Sequence, residues 1–364
     1  MKVIMTGGGT GGHIYPAIAI ADKIKSVYKD AEILFVGTKQ GLENDIVPRS
    51  GYPIQNISVK GFYRKKIWRN LGTLQKAMKG LAEANKVIKE FNPDVVIGTG
   101  GYVCGPVVFA ASRKNIKTYI HEQNAFPGVT NKILARFVDK IFISFDASRK
   151  YFKNQDKIVF TGNPLRKEFI GYSREKANAN LKRSGDGFTI VCFGGSRGAE
   201  KINEAMLGVI EILNKIEDIH LFFITGKIHY KDFMEKIEGK GIELGQNIKI
   251  LDYADNMVDY MYASDLVISR AGAITIAEIN AAGKPSILIP SPHVTGNHQY
   301  YNAKVVADHG AAYIIEDKDL KEETIINIIF KLINSRDILL EMGKCSERMK
   351  SVEAENIILE NIKF

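Results

Sequence analysis

Two glycine-rich segments carry the residues best suited to chemistry. The first is GGGTGGH at residues 7–13, and the second is GGSRGA at residues 194–199. Each follows a short apolar run that is typical of a buried strand, and each opens a helical pattern. Glycine lets the backbone approach a ligand closely, and a helix N-terminus offers N–H groups and a positive dipole to an anion. The two segments predict an enzyme that closes on a phosphate-bearing substrate from both sides.

His13 directly follows the first glycine segment, at the start of a helix predicted over residues 13–28. The positive end of a helix disfavours imidazolium, so we expect a neutral imidazole that can accept a proton. The alternative is a histidine that caps the helix and only orients the loop. Position alone leaves both interpretations open.

The first segment also satisfies the G-x-G-x-x-G pattern of dinucleotide-binding proteins. Such a site needs an acidic residue at the end of the second strand to bind the ribose. The second strand is predicted at 32–36 and runs into Gly-Thr-Lys, whereas Asp30 and Glu32 precede its apolar residues. The pattern therefore disfavours a nicotinamide dinucleotide.

Two further clusters follow predicted strands in the first half. They are GTGGYVCGP at 98–106 and HEQNAFPG at 121–128. The carboxyl ends of parallel strands share one edge of the sheet, where ligands bind in open α/β folds. His121, Glu122 and Asn124 are thus candidates either to bind substrate or to pin these loops.

The second half offers a connected set of polar residues after its strands. Glu278 lies on a helix within 269–285 that follows a glycine turn, where a carboxylate suits a pair of ribose hydroxyls. The amides within 293–303 suit sugar hydroxyls. Ser196 and Arg166 suit a phosphate at the start of the helix after the second glycine segment.

Short apolar runs alternate with helical patterns in both halves, which predicts parallel sheets with crossover helices. A chain of 364 residues is longer than one that usually folds around a single hydrophobic core. We therefore predict an α/β fold with two doubly wound domains, residues 1–163 and 164–345. A helical tail, 346–364, is placed to pack across their junction, and the polar stretch 171–187 resembles a disordered linker. The predicted strands are 2–5, 32–36, 94–97, 117–120, 140–143, 158–160, 188–193, 219–224, 248–250, 266–268, 286–289 and 312–314.

The net charge of +9 is unevenly distributed, because residues 1–163 contain 25 Lys and Arg against 12 Asp and Glu. Residues 60–89 alone contain nine basic side chains, opposed only by Glu83. Their apolar residues recur at helical spacing, as in a helix that packs on its own core. Basic residues beside aromatic ones also suit a peripheral contact with an anionic membrane, and both interpretations stay open. The residues proposed for this contact are Phe62, Arg64, Lys65, Lys66 and Trp68.

Other bulk features narrow the class of protein. The three cysteines are widely spaced and odd in number, which predicts reduced thiols and no metal site. No apolar run approaches the roughly 18–20 residues that span a bilayer, and the N-terminal strand leaves no room for a signal peptide. Nucleic acid is disfavoured as a partner, because the motifs indicate small-molecule chemistry.

The motifs together are similar to those of a known family. GGGTGGH, GTGGYVCGP, HEQNAFPG, GNPLR at 162–166, GGSRGA, SRAGAITIAE and HQYYNA occur in family order along nearly the whole chain. On these motifs the chain resembles the MurG family, which transfers N-acetylglucosamine (GlcNAc) from UDP-GlcNAc to the lipid-linked N-acetylmuramyl (MurNAc) pentapeptide called lipid I, forming lipid II.

The resemblance implies a GT-B fold, with two Rossmann-like domains and the active site in the cleft. It implies an inverting glycosyltransferase that attaches GlcNAc to the C4 hydroxyl of MurNAc for peptidoglycan synthesis. It implies no metal, no cofactor and no nucleic acid. The expected location is the cytoplasmic face of the cell membrane, as a peripheral protein bound to an anionic surface.

The resemblance also assigns residues. Glu278 would hold the ribose hydroxyls, Ile250 would lie by the uracil, and Gln299 would meet the sugar. The diphosphate would meet Ser196 and Arg166, while the lipid tail would stay near residues 60–89. The residues that would contact the donor from the N-terminal domain are Thr10, Gly11, Gly12 and Asn124.

This sequence departs from the family pattern at Arg197, where glutamine is usual, and in the loop before Gln299. We expect His13 to be the general base. The alternatives are another GT-B transferase that uses a UDP-sugar and a lipid acceptor such as diacylglycerol, and a non-catalytic protein that binds a sugar nucleotide.

Overall fold

The chain forms two compact units. The computed structural model describes residues 1–59, 71–183, 187–195 and 198–363. The first unit comprises Met1–Arg166 and Ser351–Phe364, and the second comprises Lys167–Lys350. The sequence-based division after residue 163 lies three residues before the first of these boundaries, and the C-terminal segment joins the first unit.

The first unit contains a seven-stranded parallel sheet with helices between its strands. Its strands are β1 (Lys2–Gly7), β2 (Glu32–Thr38), β3 (Ile54–Ile57), β4 (Val95–Gly100), β5 (Lys117–Glu122), β6 (Lys140–Ile143) and β7 (Ile158–Phe160). Its helices are α1 (Gly11–Val27), α2 (Glu43–Arg49), α3 (Leu71–Phe91), α4 (Cys104–Ser112), α5 (Val129–Leu134) and the C-terminal α14 (Ala354–Asn361).

The second unit contains a six-stranded parallel sheet. Its strands are β8 (Phe188–Phe193), β9 (Ile219–Ile224), β10 (Ile248–Leu251), β11 (Leu266–Ser269), β12 (Ser286–Leu288) and β13 (Ala312–Ile314). Its helices are α6 (Arg174–Asn180), α7 (Glu200–Leu213), α8 (Tyr230–Gly239), α9 (Met257–Ala263), α10 (Ala273–Ala281), α11 (His298–Asp308), α12 (Glu322–Ile333) and α13 (Arg336–Arg348).

Each sheet has a point where the strand order reverses. The order is β3-β2-β1-β4-β5-β6-β7 in the first unit and β10-β9-β8-β11-β12-β13 in the second. The reversals lie between β1 and β4 and between β8 and β11. Ligands bind outside the carboxyl ends of the strands at such switch points. The two glycine-rich segments follow β1 and β8, so each begins at the switch point of its own unit.

The predicted strands are all present, and the structure adds one. β3 was missed because its sequence, IQNI, is short and only partly buried at the edge of the sheet. The interpretation of 171–187 as disordered was wrong for residues 174–180, which form α6. Ser173 caps this helix by accepting from the Lys176 N–H, and α6 packs against α9.

The C-terminal helix is fixed to the first unit by specific contacts. Ile358 and Ile362 belong to the same apolar cluster as Ile14 and Ile20 of α1. The carboxylate of Glu355 accepts from the backbone N–H of Leu165 at 2.7 Å. These contacts explain why the end of the chain groups with its beginning. Among the described residues, no helix is both long enough and apolar enough to span a membrane.

Candidate active site

The loop between β1 and α1 lies at the switch point of the first unit. β1 ends at Gly7, Thr10 immediately precedes α1, and Gly9 has a left-handed φ of 84°. Among the described residues, a Cβ added at Gly9 would meet no atom within 4 Å, and one at Gly12 would meet only the Thr10 hydroxyl, at 3.7 Å. The loop therefore leaves open space beside the N-terminus of α1, where helical N–H groups favour an anion.

The same loop holds the imidazole of His13. Its Nδ1 lies 3.0 Å from the carbonyl oxygen of Gly8 and 3.4 Å from the hydroxyl of Thr10. Because a carbonyl oxygen only accepts, Nδ1 must carry the hydrogen, and Nε2 is then the proton acceptor of the neutral ring. One nitrogen of His13 thus orients the loop, while the other is suited to accept a proton.

Glycines at the end of β4 and directly after it let the loop that follows this strand approach the first glycine loop. A Cβ at Gly101 would fall 2.4 Å from the Gly8 carbonyl oxygen, and one at Gly100 would fall 2.8 Å from the His13 ring. The Gly8 N–H donates to the Gly100 carbonyl at 3.3 Å, and the Thr99 hydroxyl donates to the His13 carbonyl at 2.8 Å. The glycine-rich cluster at 98–106 therefore packs around His13, the candidate base.

Two of the three cysteines are buried free thiols. The Cys104 Sγ lies 2.9 Å from the carbonyl oxygens of both Thr6 and Gly100, and burial raises the pKa of this thiol to about 12. Burial also raises the pKa of Cys192. Both groups stay protonated at neutral pH, so neither acts as a nucleophile.

Glu122 holds the loop that follows β5. Its side chain is buried, and one carboxylate oxygen accepts from the Asn124 backbone N–H at 3.0 Å and from the Asn124 amide at 3.1 Å. The other oxygen accepts from the Gly128 N–H and the Asn131 amide, both at 2.9 Å. Of the two interpretations of Glu122, the contacts support the one in which it pins the loop.

His121 is also a loop anchor. It is fully buried, its Nε2 lies 3.1 Å from the Gly162 carbonyl oxygen, and its Nδ1 lies 2.9 Å from the Gln123 amide nitrogen. Burial lowers the pKa of His121 to about 4. A neutral, enclosed imidazole of this kind joins the ends of β5 and β7 and does not reach a substrate.

The His121 pKa predicts a pH dependence of stability. Because the folded pKa of about 4 lies below the ordinary value, the unfolded chain binds the proton more readily between pH 6.5 and 4. As the pH is lowered from 6.5 to 4, we expect the free energy of unfolding of the first unit to fall by about 3 kcal/mol from His121 alone. Denaturant titrations at several pH values should show this part of the slope in the wild type and not in His121→Gln. Equal slopes in the two proteins would contradict the assignment.

Two glycines of the second glycine segment have left-handed backbones, as Gly9 does in the first. Gly195 has a φ of 92°, and a Cβ added there would meet no atom within 4 Å. Gly198 has a φ of 72° and packs on the Thr225 carbonyl, from which a Cβ would lie only 2.2 Å away. The loop opens α7 at Glu200. Ser196 and Arg197 lie outside the described residues, so their predicted roles remain predictions.

The other predicted polar residues of the second unit follow β11 and β12. Glu278 lies on α10 and its side chain is 6% exposed. The buried Asn302 amide of α11 donates to the Ala271 carbonyl at 3.3 Å, just before α10. The Gln299 Oε1 accepts from the Ser291 N–H at 2.8 Å, which fixes the loop after β12. These contacts set α10, α11 and the loop after β12 at the carboxyl edge of the sheet.

The chain matches known proteins along its whole length. Residues 3–143 match the glycosyltransferase family 28 N-terminal domain, and residues 189–357 match the glycosyltransferase family 28 C-terminal domain. Over 363 residues the chain is 50% identical to the UDP-N-acetylglucosamine–N-acetylmuramyl-(pentapeptide) pyrophosphoryl-undecaprenol N-acetylglucosamine transferase of Thermoanaerobacter sp. strain X514, covering 100% of this chain and 99% of that protein. The protein of that name from Clostridioides difficile strain 630 is 47% identical over 364 residues, covering 100% and 88%. The crystal structure of Acinetobacter baumannii MurG matches with a TM-score of 0.78 at 26% identity, covering 99% and 98%.

The chain belongs to the MurG family. The predicted family and the predicted GT-B class with two Rossmann-like domains are therefore confirmed. The protein is a glycosyltransferase.

The predicted site residues of this MurG-family protein divide between the two units. The residues in the first unit that the structure describes are Thr10, Gly11, Gly12, His13, Asn124 and Arg166, and those in the second are Ile250, Glu278 and Gln299. Arg166 is half-buried at the boundary of the first unit. Ile250 lies near the carboxyl end of β10 and packs partly on the core of the second unit. The predicted membrane residues that lie outside the described residues are Phe62, Arg64, Lys65, Lys66 and Trp68.

Sequence reasoning missed an ion cluster in the second unit, in which Arg270 and Asp317 are largely buried and Lys201 is exposed. The Arg270 Nη1 lies 2.6 Å from an Asp317 carboxylate oxygen and 3.2 Å from the Ile289 carbonyl, and the Lys201 Nζ lies 3.3 Å from the other Asp317 oxygen. Burial raises the pKa of Asp317, but its bonds to Arg270 and Lys201 outweigh this and lower it. The cluster ties the loops after β11, β12 and β13 to the first turn of α7.

Sequence reasoning also missed Glu43, the first residue of α2. Its side chain is completely buried, and its carboxylate accepts from the Gly9 N–H at 3.0 Å and from the Thr38 N–H at 2.9 Å. It thereby joins the first glycine loop to the loop after β2. Its contact with Gly9 depends on the pairing of β1 with β2, so no local sequence signal indicated it.

Proposed function

We propose that this protein transfers GlcNAc from UDP-GlcNAc to the C4 hydroxyl of the MurNAc-pentapeptide of lipid I, with inversion, forming lipid II. The observation that carries the proposal is the end-to-end similarity to transferases named for this reaction, at 50% identity over 363 residues. The contacts of the described residues support a mechanism in which the first unit supplies the base and the second unit binds the nucleotide.

The first chemical event is the loss of a proton from the acceptor. Nε2 of His13 is the proton acceptor of its ring, because Nδ1 is bound to the Gly8 carbonyl. As Nε2 takes the hydroxyl proton, the C4 oxygen forms a bond to the anomeric carbon of GlcNAc. The bond from that carbon to the diphosphate oxygen breaks, and its electron pair leaves with UDP. A single displacement of this kind inverts the anomeric configuration.

The leaving UDP needs positive charge, and this MurG-family chain offers it without a metal ion. The N-terminus of α7 follows the second glycine loop, where helical N–H groups stabilise an anion. Arg166 would add a full charge, and Ser196 would donate a hydroxyl. We therefore propose metal-independent transfer, with activity retained in EDTA.

The donor's nucleoside would lie against the second unit. The buried Glu278 carboxylate suits the two ribose hydroxyls, and Ile250 suits one face of the uracil. Gln299 already accepts a backbone N–H through its oxygen, which leaves its amide nitrogen as the group suited to a sugar hydroxyl. On the first unit, Asn124 is held by Glu122 at the edge of the candidate acceptor loops.

We also propose that the protein binds the cytoplasmic face of the cell membrane through the first unit. α5 and the turn after it expose three apolar side chains: Val129 at 46%, Ile133 at 56% and Phe137 at 43%. Lys132 and Arg136 lie among them in the sequence. Apolar side chains beside cations suit a surface of anionic lipid.

We propose that the basic segment predicted from the sequence contributes to the same membrane contact. Residues 60–70 lie outside the described residues, but they run directly into α3.

The membrane proposal predicts the effect of a double substitution. Ile133→Ser with Arg136→Glu should reduce binding to phosphatidylglycerol vesicles by about tenfold or more, because it removes one exposed apolar side chain that would enter the lipid and reverses one charge. Leu340→Ser with Lys344→Glu is the matched control, because Leu340 is 54% exposed on α13 of the second unit. Cosedimentation measures both. Equal binding by the two variants would contradict the proposal that α5 contacts the membrane.

The acceptor is tested by offering two lipids in parallel. Labelled UDP-GlcNAc is incubated with a lipid I analogue or with diacylglycerol, with EDTA throughout. We expect label in the lipid I product alone. Transfer to diacylglycerol would instead favour a related transferase with another acceptor, and a strict requirement for added metal would contradict the mechanism.

A further inference from the structure

We infer that Glu43 is a positioning residue for His13, acting through the peptide group that joins Gly8 to Gly9. The inference rests on the proposed function, since it gives His13 the role of base. It adds a buried carboxylate that neither the motifs nor the relatives' names assign.

The contacts of Glu43 fix one side of this peptide group. Its side chain is completely buried, and its Oε2 accepts from the Gly9 N–H at 3.0 Å. Its Oε1 accepts from the Thr38 N–H at 2.9 Å and from the Thr38 hydroxyl at 2.8 Å. Three donors thus hold the carboxylate in one orientation against the glycine loop.

The other side of the same peptide group holds the imidazole. The Gly9 N–H and the Gly8 carbonyl belong to one planar amide, so a charge that accepts from the N–H polarises the carbonyl as well. That carbonyl oxygen lies 3.0 Å from the His13 Nδ1. The carboxylate, the amide and the imidazole are thus linked in sequence, which favours the hydrogen on Nδ1 and leaves Nε2 as the proton acceptor, as a carboxylate does when it binds a histidine directly.

Close packing fixes the positions of the Glu43 carboxylate and the His13 ring on either side of the peptide group. A Cβ at Gly8 would fall 2.6 Å from the Glu43 carboxylate, and one at Gly41 would fall 2.0 Å from it. On the imidazole side, a Cβ at Gly100 would fall 2.8 Å from the His13 ring. Side chains at these positions would displace either the carboxylate or the ring, which accounts for several of the glycines in the three loops.

Glu43 is ionised at neutral pH. Burial raises its pKa, but the hydrogen bonds from Gly9 and Thr38 outweigh burial and lower it. Its neighbour on α2, Asp45, is exposed and pairs with Arg49 at 2.8 Å. Of the two acidic residues of α2, Glu43 is thus the one whose carboxylate contacts the first glycine loop.

Lys39, which follows Thr38, is exposed. The strands and helices that pack on α1 or β1 bring the following other ionisable groups. Lys2 is at the opposite end of β1, and β4 contains no ionisable side chain. α4 brings Cys104, whose pKa burial raises to about 12. α14 brings Glu355, which interacts with Lys23, about 15 Å along α1 from His13 at 1.5 Å per residue.

The first test is a kinetic comparison of Glu43→Gln with Asp45→Asn. Glutamine keeps the size of the side chain but removes the charge. We expect kcat to fall by about 10- to 100-fold, the range for losing a group that orients a functional histidine, with the KM for UDP-GlcNAc changed less than about twofold. The acid limb of the kcat profile should move down by about half a pH unit or more, because imidazolium loses a stabilising anion. Asp45→Asn should match the wild type.

The second test needs neither turnover nor a variant at Glu43. Nitrogen-15 chemical shifts distinguish the two tautomers of neutral histidine, and His13→Asn identifies the His13 signals. We expect the wild type to carry the hydrogen on Nδ1. A hydrogen on Nε2 would overturn the inference even if transfer to lipid I is observed. The inference would also be overturned if the hydrogen is on Nδ1 but the first test shows that folded Glu43→Gln has the same acid limb as the wild type. Absence of transfer by the wild type would instead count against the proposed function.

Discussion

Replacing His13 with asparagine is expected to lower kcat by about 10²- to 10⁴-fold, the range that a positioned general base contributes. Asparagine can still donate to the Gly8 carbonyl that now binds Nδ1, so the glycine loop should keep its shape. What is lost is Nε2, the proton acceptor. The affinity for UDP should therefore change little, because the nucleotide is assigned to the second unit.

Steady-state kinetics with saturating UDP-GlcNAc and lipid I analogue measure this effect. His309→Asn is the matched control, because His309 is exposed at the end of α11 and its Nδ1 also contacts a backbone carbonyl, that of Val305. Near-full turnover by His13→Asn would remove His13 from the role of base and leave it as a residue that orients the loop.

The second large effect is expected at Glu278. Its replacement by alanine should weaken UDP binding by about 1–3 kcal/mol, or about 5- to 150-fold, because a pair of hydrogen bonds from the ribose to a buried carboxylate is lost. Glu278 is 6% exposed on α10, so water does not easily replace those bonds.

Calorimetric titration with UDP measures the loss directly, and Glu323→Ala on α12 is the control, since that side chain is exposed. If Glu278→Ala folds and binds UDP as tightly as the wild type, the carboxylate does not hold the ribose. A change confined to the KM for the lipid acceptor would also contradict the assignment.

The sequence was sufficient for most of the fold because the buried strands have a strong local signal. Runs such as Val95 to Ile97 and Phe188 to Phe193 are apolar, rich in β-branched or aromatic residues, and bounded by glycine or charge. β3 lacked that signal, because Ile54–Ile57 is an edge strand with two polar residues out of four. α6 was missed because its stability comes from packing on α9, which local composition does not reveal.

The parts of the candidate site that lie in one continuous segment could be predicted from the sequence. The glycine loops and His13 are contiguous in sequence, so their arrangement follows from strand, turn and helix. Glu43 and Gly9 are 34 residues apart, and they meet only because β2 pairs with β1. Arg270 and Asp317 are 47 residues apart and meet for the same kind of reason. Partners set by the order of strands in a sheet have no local signature.

The sequence also left alternatives that only contacts resolve. His121 and Glu122 lie beside the loops of the site, as substrate-binding residues would. The structure turns both side chains inward, where Gly162, Gly128 and Asn131 satisfy their polar atoms. Proximity to a switch point therefore indicated candidate loops but did not separate the residues that support a loop from those available to contact a ligand.

The central claim is inverting transfer to the C4 hydroxyl of lipid I, and the structure of the product tests it most directly. The lipid product made from UDP-GlcNAc and a lipid I analogue would be isolated and its glycosidic linkage determined by NMR. Because the donor is α-linked, we expect a β-linked GlcNAc on C4 of MurNAc. An α-linkage would contradict the single displacement, and a linkage elsewhere, or no disaccharide from a protein that still binds UDP-GlcNAc, would contradict the proposed reaction itself.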